Sequence, residues 1–417
     1  MTNISNSYTP PDPYSLHLED IDVSNPRLYE TWAHHKYFKR LREEAPIHYC
    51  KESPFGPFWS VTRMEDIKYV DSHHELFSSF PCSLIGDFAE GESLANFIFM
   101  DPPEHDLQRL AVQPVVAPQN LKQLEGLIRE RAGRILDDLP IGETFDLVPR
   151  VSIELTTQML ATLFDFPFQD RHKLTYWSDC AVGTPELAGG TDIDREERWA
   201  ALTDCLQAFA AIWKQREGQP AGYDLISLLQ SNDATREMIN YPETFLGNIL
   251  LLIVGGNDTT RNSITGGVLA LNAFPQEYNK LRNNPALIPG MVSEIIRWQT
   301  PLSHHRRRAT QDTEIRGQKI KAGDKVVMWW ASANRDCDAI DNPEAFIIDR
   351  PNIRQHASFG FGIHRCMGNR LAEMQLRIVW EELLRRFRLV EVVGDPVRTC
   401  NNHINGYLSL PVKVHAW

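Results

Sequence analysis

Cys366 stands in the run Phe359-Gly360-Phe361-Gly362-Ile363-His364-Arg365-Cys366-Met367-Gly368, at the head of the helical pattern GNRLAEMQLRIVWEELLRRF. Three glycines let the backbone turn tightly and come close to a flat partner. A sulfur at a helix N-terminus meets free N–H groups and the positive end of the helix dipole, and both favour a thiolate. An anionic sulfur held by amides in a glycine loop is what a thiolate-ligated haem iron requires. Other chemistries also use a cysteine. A structural zinc needs further ligands, and no second cysteine lies in local reach. A nucleophilic thiol needs a general base, which His364 could be, but acyl transfer gives no role to the phenylalanines and glycines. The other cysteines, Cys50, Cys82, Cys180, Cys205, Cys337 and Cys400, read as small buried hydrophobes.

A second constellation is Gly255-Gly256-Asn257-Asp258-Thr259-Thr260. It lies inside a proline-free stretch between Pro242 and Pro275 that, as one helix, would run roughly 48 Å. Apolar residues fall on nearly every side of that helix, which places it in the middle of a large fold. Six mediocre helix formers in mid-helix need a reason. One reason is a kink or a packing notch at the glycines. The other is chemical. Thr259 can bond the carbonyl of Gly255 and loosen the turn, and Asp258 beside it makes an acid–alcohol pair able to relay protons.

The FGxGxHxCxG run resembles the cytochrome P-450 superfamily of haem-thiolate monooxygenases, and Asp258-Thr259 matches that superfamily's acid–threonine pair. Glu294-Ile295-Ile296-Arg297 matches its E-x-x-R, and Arg350 matches the third member of the structural triad that shapes the proximal face. The resemblance implies haem b as cofactor, with Cys366 as the axial ligand and Phe359 and Gly368 framing it. Asp101-Pro102-Pro103-Glu104-His105 opens a helix on which His105 and Arg109 fall one turn apart. Arg307-Arg308-Ala309-Thr310 matches the stretch that follows the E-x-x-R helix, with Arg306 and Arg308 as close alternatives in register. By resemblance His105, Arg109, Arg307 and His364 hold the haem carboxylates, while Asp258 and Thr259 are the catalytic pair.

SPFGPFWSVTRMEDI, FMDPPEHDLQRLAVQPVVAPQNL, VSIELTTQMLATLFDFPF and NGYLSLPVKVH look like the bacterial group that hydroxylates medium-chain alkanes and fatty acids at the terminal carbon. That likeness implies O2 and an apolar medium-chain substrate. Electrons would come from an iron–sulfur ferredoxin and its reductase, so NAD(P)H would act only indirectly. Arg365 and Arg370, nearest the thiolate loop, are the expected docking cations. Arg377, Arg385 and Arg386 can instead pair with Glu373, Glu381 and Glu382 along one helix. The rivals are a peroxide-driven relative, which would lack the acid–threonine pair, and a non-catalytic haem-binding or sensor protein.

Positioning these residues takes a mainly α framework with a minor β region, and the resemblance implies the triangular prism of the cytochrome P-450 fold around a buried haem. TWAHHKYFKRLREEAP has helical spacing ended by Pro46, and IHYC with FWSVT reads as paired strands. LKQLEGLIRERAGRILDDL, VSIELTTQMLATLF and REERWAALTDCLQAFAAIWKQ are amphipathic helices. TEIRGQKIKAGDKVVMWW alternates around Gly317 and Gly323 as one small antiparallel sheet would. SLIGDFAEGESLANFIFM reads either as a core helix or as a loop whose Phe97, Ile98, Phe99 and Met100 line an apolar channel.

The 417 residues carry 43 Lys and Arg against 55 Asp and Glu, a net charge of −12, which argues against broad nucleic-acid binding. With 42% hydrophobic residues and scattered Gly and Pro, the chain is neither disordered nor a disulfide scaffold. The expectation is a single domain over 1–417 with an extended arm over about residues 1–20. No apolar run approaches the ~20 residues of a membrane span, and no CxxC pair or signal-like start is present. The expected setting is cytoplasmic, without a membrane anchor.

Overall fold

The computed structural model describes residues 8–89, 92, 94–189, 193–220 and 222–417. The helices that bear on the site are α1 (His34–Glu44), α2 (Met64–Ser72), α3 (Glu104–Val112), α4 (Pro118–Asp137) and α5 (Glu154–Phe164). They continue with α6 (His172–Val182), α7 (Arg195–Gln215), α8 (Pro242–Ala273), α9 (Ile288–Gln299) and α10 (Asn369–Arg386). Pro242 sits in the first turn of α8, where a missing N–H costs nothing, and Pro275 lies just past its end. The 32 residues between run unbroken. α5, α6, α9 and α10 pack around α8, which is why its apolar residues cover more than one face.

The strands near the site are β1 (Ile47–Cys50), β2 (Phe58–Val61), β3 (Phe77–Ser78), β4 (His304–Ala309), β5 (Thr313–Ile315), β6 (Gln318–Ile320) and β7 (Lys325–Trp329). One five-stranded sheet has the order β1-β2-β7-β4-β3, antiparallel except for the parallel pair β2 and β7. The stretch Thr313–Trp329 is therefore not one small sheet. β5 and β6 form a separate hairpin that turns at Arg316 and Gly317, both with positive φ. β7 leaves it for the sheet interior because Val326 to Trp329 are apolar and fully buried, and such a strand needs cover on both faces. The C-terminal strand Pro411–Ala416 pairs with Phe387–Val392 and Thr144–Asp146.

The segment before α3 is not a core helix. Its regular structure is one 3₁₀ turn, Phe97–Phe99, and Glu90, Gly91 and Ser93 lie outside the described residues. The arm from Tyr8 to Leu18 is tied onto α1. Tyr37 Oη donates to the Pro11 carbonyl at 2.7 Å, and Arg40 donates to the carbonyls of Pro13 and Leu16. No helix among the described residues is long and apolar enough to cross a membrane.

The triad Glu294, Arg297 and Arg350 is assembled and buried. Arg297 donates to both Glu294 oxygens at 2.7 Å and to the carbonyls of Asn334, Pro343 and Ala345. Arg350 lies 3.3 Å from the same carboxylate. A buried ion pair is tolerable only when its remaining hydrogen bonds are made, and here they are made to backbone. Ser358, at the start of the cysteine loop, donates to the Ile296 carbonyl at 2.8 Å and so anchors the loop to α9.

Candidate active site

A buried cavity separates α8 from the cysteine loop. Gly255, Gly256 and Thr259 line one side, and Phe359, His364 and Cys366 the other. Within the loop Gly360 and Gly362 have φ of +66° and +54°. A Cβ at Gly362 would lie 2.2 Å from the carbonyl oxygen of Asp71, so only glycine fits there. The Cys366 N–H donates to the Phe359 carbonyl at 2.7 Å and closes the turn. Gly368 is the N-cap of α10 and also lines the cavity.

The sulfur faces competing influences. Burial among protein atoms pushes the Cys366 thiol up, while the N–H groups of Gly368 and Asn369 and the charges of Arg109 and Arg365 pull it down. The surface the residue does expose belongs to the cavity and to a groove behind it. In the protein alone burial dominates, and a cation at the sulfur is the partner that would hold it as a thiolate.

Donors converge on the cavity near His364. Arg109, His305 and Arg307 line it, and their fields, with that of His105, act on the His364 ring. His105 and His364 stack edge on at 4.4 Å. His105 Nδ1 meets Asp106 at 2.8 Å and His364 Nε2 meets Ser79 Oγ at 2.8 Å, while His105 Nε2 and His364 Nδ1 are buried without a hydrogen-bond partner. Two arginines on the cavity wall, the unpartnered nitrogen of His364 there and that of His105 packed behind it fit the carboxylates of a haem. A cysteine among amides fits its iron.

Arg307 is the member of its triplet that faces the cavity. Arg306 turns to the opposite face and donates to the Cys82 and Ile85 carbonyls and to Asp87. Two residues were not anticipated from sequence. His305 shares the cavity face of β4 with Arg307, as a strand's period of two requires, and that period could have found it. Asp71, at the end of α2, accepts from Arg307 Nη2 at 2.7 Å and from the Phe361 N–H at 2.7 Å, and no local pattern marks it.

Across the cavity Thr259 Oγ1 donates to the Gly255 carbonyl at 3.0 Å, as its spacing predicts. The two glycines divide the two readings between them. A Cβ at Gly256 would meet Leu160 Cδ2 at 2.8 Å, which is a packing notch, while Gly255 has open space before it. Asn257 accepts from Thr156 at 2.8 Å. Asp258 is fully buried and turned toward α6, where Ser178 Oγ donates to it at 2.6 Å. Arg261 pairs with Asp258 and also with Asp179, at 2.6 Å, whose side chain reaches the surface. Burial raises the Asp258 carboxyl above its ordinary range, with the Arg261 charge opposing it. Asp258 and Thr259 are thus neighbours in sequence that face different ways. Of the four residues expected along a channel, Phe97 and Ile98 reach the cavity, joined by Leu251 and Leu252.

Behind Cys366 a groove opens to the surface between Arg109, Leu110, Gln113, Arg365 and Arg370. Arg377 pairs with Glu125 and Glu381 at 2.7 Å each, Arg385 with Glu382 at 2.6 Å, and Arg386 with Asp137 at 2.7 Å. Arg365 and Arg370 make no ion pair among the described residues.

A family model described as cytochrome P450 matches residues 195–415. Linalool 8-monooxygenase of Pseudomonas putida is 36% identical over 408 residues, covering 95% of this chain and 99% of that protein. A methyl-branched lipid omega-hydroxylase of Mycobacterium tuberculosis is 32% identical over 390 residues, covering 90% of each. The solved structure of cytochrome P450-153 from Novosphingobium aromaticivorans is 43% identical and superposes with a TM-score of 0.88, over 94% of this chain and 99% of that one.

Proposed function

This chain belongs to the cytochrome P450 family of haem-thiolate monooxygenases, and from that premise we propose that it hydroxylates medium-chain apolar substrates at their terminal carbon, with electrons from an iron–sulfur ferredoxin. The observation that carries the reading is the Cys366 loop facing Thr259 across a cavity lined by Phe97, Ile98, Leu251 and Leu252. The methyl-branched lipid omega-hydroxylase among its relatives supports it.

Haem bound in this cavity supplies the activation of dioxygen and the insertion of one oxygen atom into a C–H bond. Cys366 Sγ would ligate its iron as a thiolate, with the amides of Gly368 and Asn369 favouring the charged sulfur. Arg109 and Arg307, with His105 and His364, would hold the carboxylates, and Phe359 is part of the cavity wall that would receive the group. Thr259 Oγ1 orders the proton supply at the oxygen-binding turn. Asp258 is the proton donor in this reading; its carboxyl, held by Ser178 and Arg261 in this structure, would turn toward Thr259 to act. The apolar walls exclude water and admit a chain end on, so that its terminal carbon comes nearest the reacting centre. Ferredoxin docks at the groove behind Cys366, against Arg365 and Arg370.

The test is a titration of the holoenzyme, followed by its haem spectrum, over chain-length series of alkanes, alkanols and fatty acids, with product analysis of the best binder. A spin-state shift that peaks at medium length and a product oxidised at the terminal carbon are expected. Oxidation at internal carbons alone would contradict terminal selectivity.

A further inference from the structure

The segment that carries Phe97 and Ile98 into the cavity is seated directly on α8. A Cβ at Gly247 would lie 2.1 Å from the carbonyl oxygen of Ala95 and 2.8 Å from its carbonyl carbon, so backbone meets backbone there and no side chain fits between. The next residue holds what the glycine admits. Asn248 is 1% exposed, and its Oδ1 accepts the Phe97 N–H at 3.2 Å. Its Nδ2 donates to Gln108 Oε1 on α3 and to the Thr244 carbonyl, at 3.0 Å each. The Phe97 N–H only donates and the Thr244 carbonyl only accepts, so the amide has one orientation, and neither a carboxylate nor an apolar side chain meets both demands. At its other end the segment is held by Ser83 Oγ, which donates to the Ile98 carbonyl at 2.8 Å. Leu251 and Leu252, one turn further along α8, line the same cavity as Phe97 and Ile98.

We propose that Gly247 and Asn248 are positioning residues for regioselectivity: together they set how close the wall of Phe97 and Ile98 stands to α8, and so how narrow the passage is by which a chain end reaches the reacting centre. The proposal rests on the terminal-hydroxylase reading above and assigns its selectivity to a contact behind the cavity wall. Neither residue lines the cavity, and both act through the backbone of the segment that does. A narrow passage presents only the end of a chain, whereas a wider one lets the chain bend and offer the carbons behind it. Removing the Asn248 acceptor strands a buried N–H, and the segment gains by moving off α8 to find another partner. A Cβ at Gly247 forces the same segment off by steric contact. Two chemically unlike changes therefore displace one wall in the same direction.

The experiment compares wild-type holoenzyme with Asn248→Leu and Gly247→Ala, each turning over n-octane with a surrogate ferredoxin and reductase. It reads the ratio of 1-octanol to internal octanols, the n-octane Kd from the haem spectrum, and amide hydrogen exchange in the peptide spanning residues 95–99. Each variant should lower the terminal-to-internal ratio about tenfold and quicken exchange in that peptide, while the n-octane Kd moves by less than about twofold. The variants are independent, so if one fails to take up haem the other decides. A ratio unchanged in a haem-loaded variant overturns the assignment, even where exchange quickens, and leaves the terminal-hydroxylase reading standing. Loss of haem uptake in both would make the pair an element of folding and overturn it as well. If wild type oxidises n-octane only at internal carbons or not at all, the broader reading falls and the assignment falls with it.

Discussion

Asp71 and Arg307, 236 positions apart in the chain, meet in the interior with Oδ1 2.7 Å from Nη2 and both side chains almost fully buried. The second oxygen of Asp71 takes the Phe361 N–H at 2.7 Å. One carboxylate therefore ties α2, β4 and the cysteine loop together. It also holds in place the arginine assigned to a haem carboxylate.

Asp71→Ala leaves a buried guanidinium without its counter-charge, which costs about 3–5 kcal/mol when a buried pair is broken. The variant should unfold at lower urea and lose haem faster to an acceptor globin, and Asp71→Asn should fall between it and wild type. Haem loss at the wild-type rate in Asp71→Ala would show that the link does not position the loop.

Thr259→Ala removes the hydroxyl proposed to order the proton supply but leaves the cavity wall. Substrate-induced spectral shifts should persist, while reducing equivalents drain into hydrogen peroxide instead of product. Asp258→Asn cannot release a proton, and its turnover should fall about 10²-fold or more with a changed solvent isotope effect. Full coupling in Thr259→Ala would remove the proton role from that residue.

The arginines around α10 differ in availability, and the docking prediction follows from that difference. Arg370→Glu should raise the apparent KM for ferredoxin without altering substrate affinity, and reduction should slow as salt rises. Reversal at Arg377, already paired with Glu125 and Glu381, should cost stability instead. Salt-insensitive reduction that ignores Arg370→Glu would move the docking face elsewhere.

Buried histidines set an acid limit on the fold. Burial lowers His34 to about 3 and His403 to about 4, and His35 well below its ordinary 6.5. The unfolded chain binds these protons more readily than the native one. Their contribution is fully present above pH ~6.5 and is lost as pH falls through ~6.5 toward the folded values. Near pH 5.5 the loss is on the order of 1 kcal/mol per histidine, so the urea midpoint should drop from its value near pH 7.5. A midpoint that holds steady between the two would mean these rings are not buried neutral.

Much of this was legible in the sequence because it is local. Pro242 and Pro275 bracket α8, the glycines around Cys366 demand their turn, and Thr259 finds the carbonyl four residues back. What was not legible depends on distant partners. Nothing near Asp71 foretells Arg307, and Ser178 and Arg261 explain why Asp258 faces away from Thr259. β7 joins β2 in parallel rather than continuing the β5–β6 hairpin, because sheet order is set by which strand must be covered on both faces. His305 was legible in principle, two residues before Arg307 on the same face of β4.

Thiolate ligation by Cys366 can be read in the carbon monoxide difference spectrum of the reduced holoenzyme. Wild type should show the red-shifted Soret band of thiolate-ligated haem, and Cys366→Ala should lose that band even where haem is retained. A wild-type spectrum without the red-shifted band, or a Cys366→Ala spectrum that keeps it, would contradict the account.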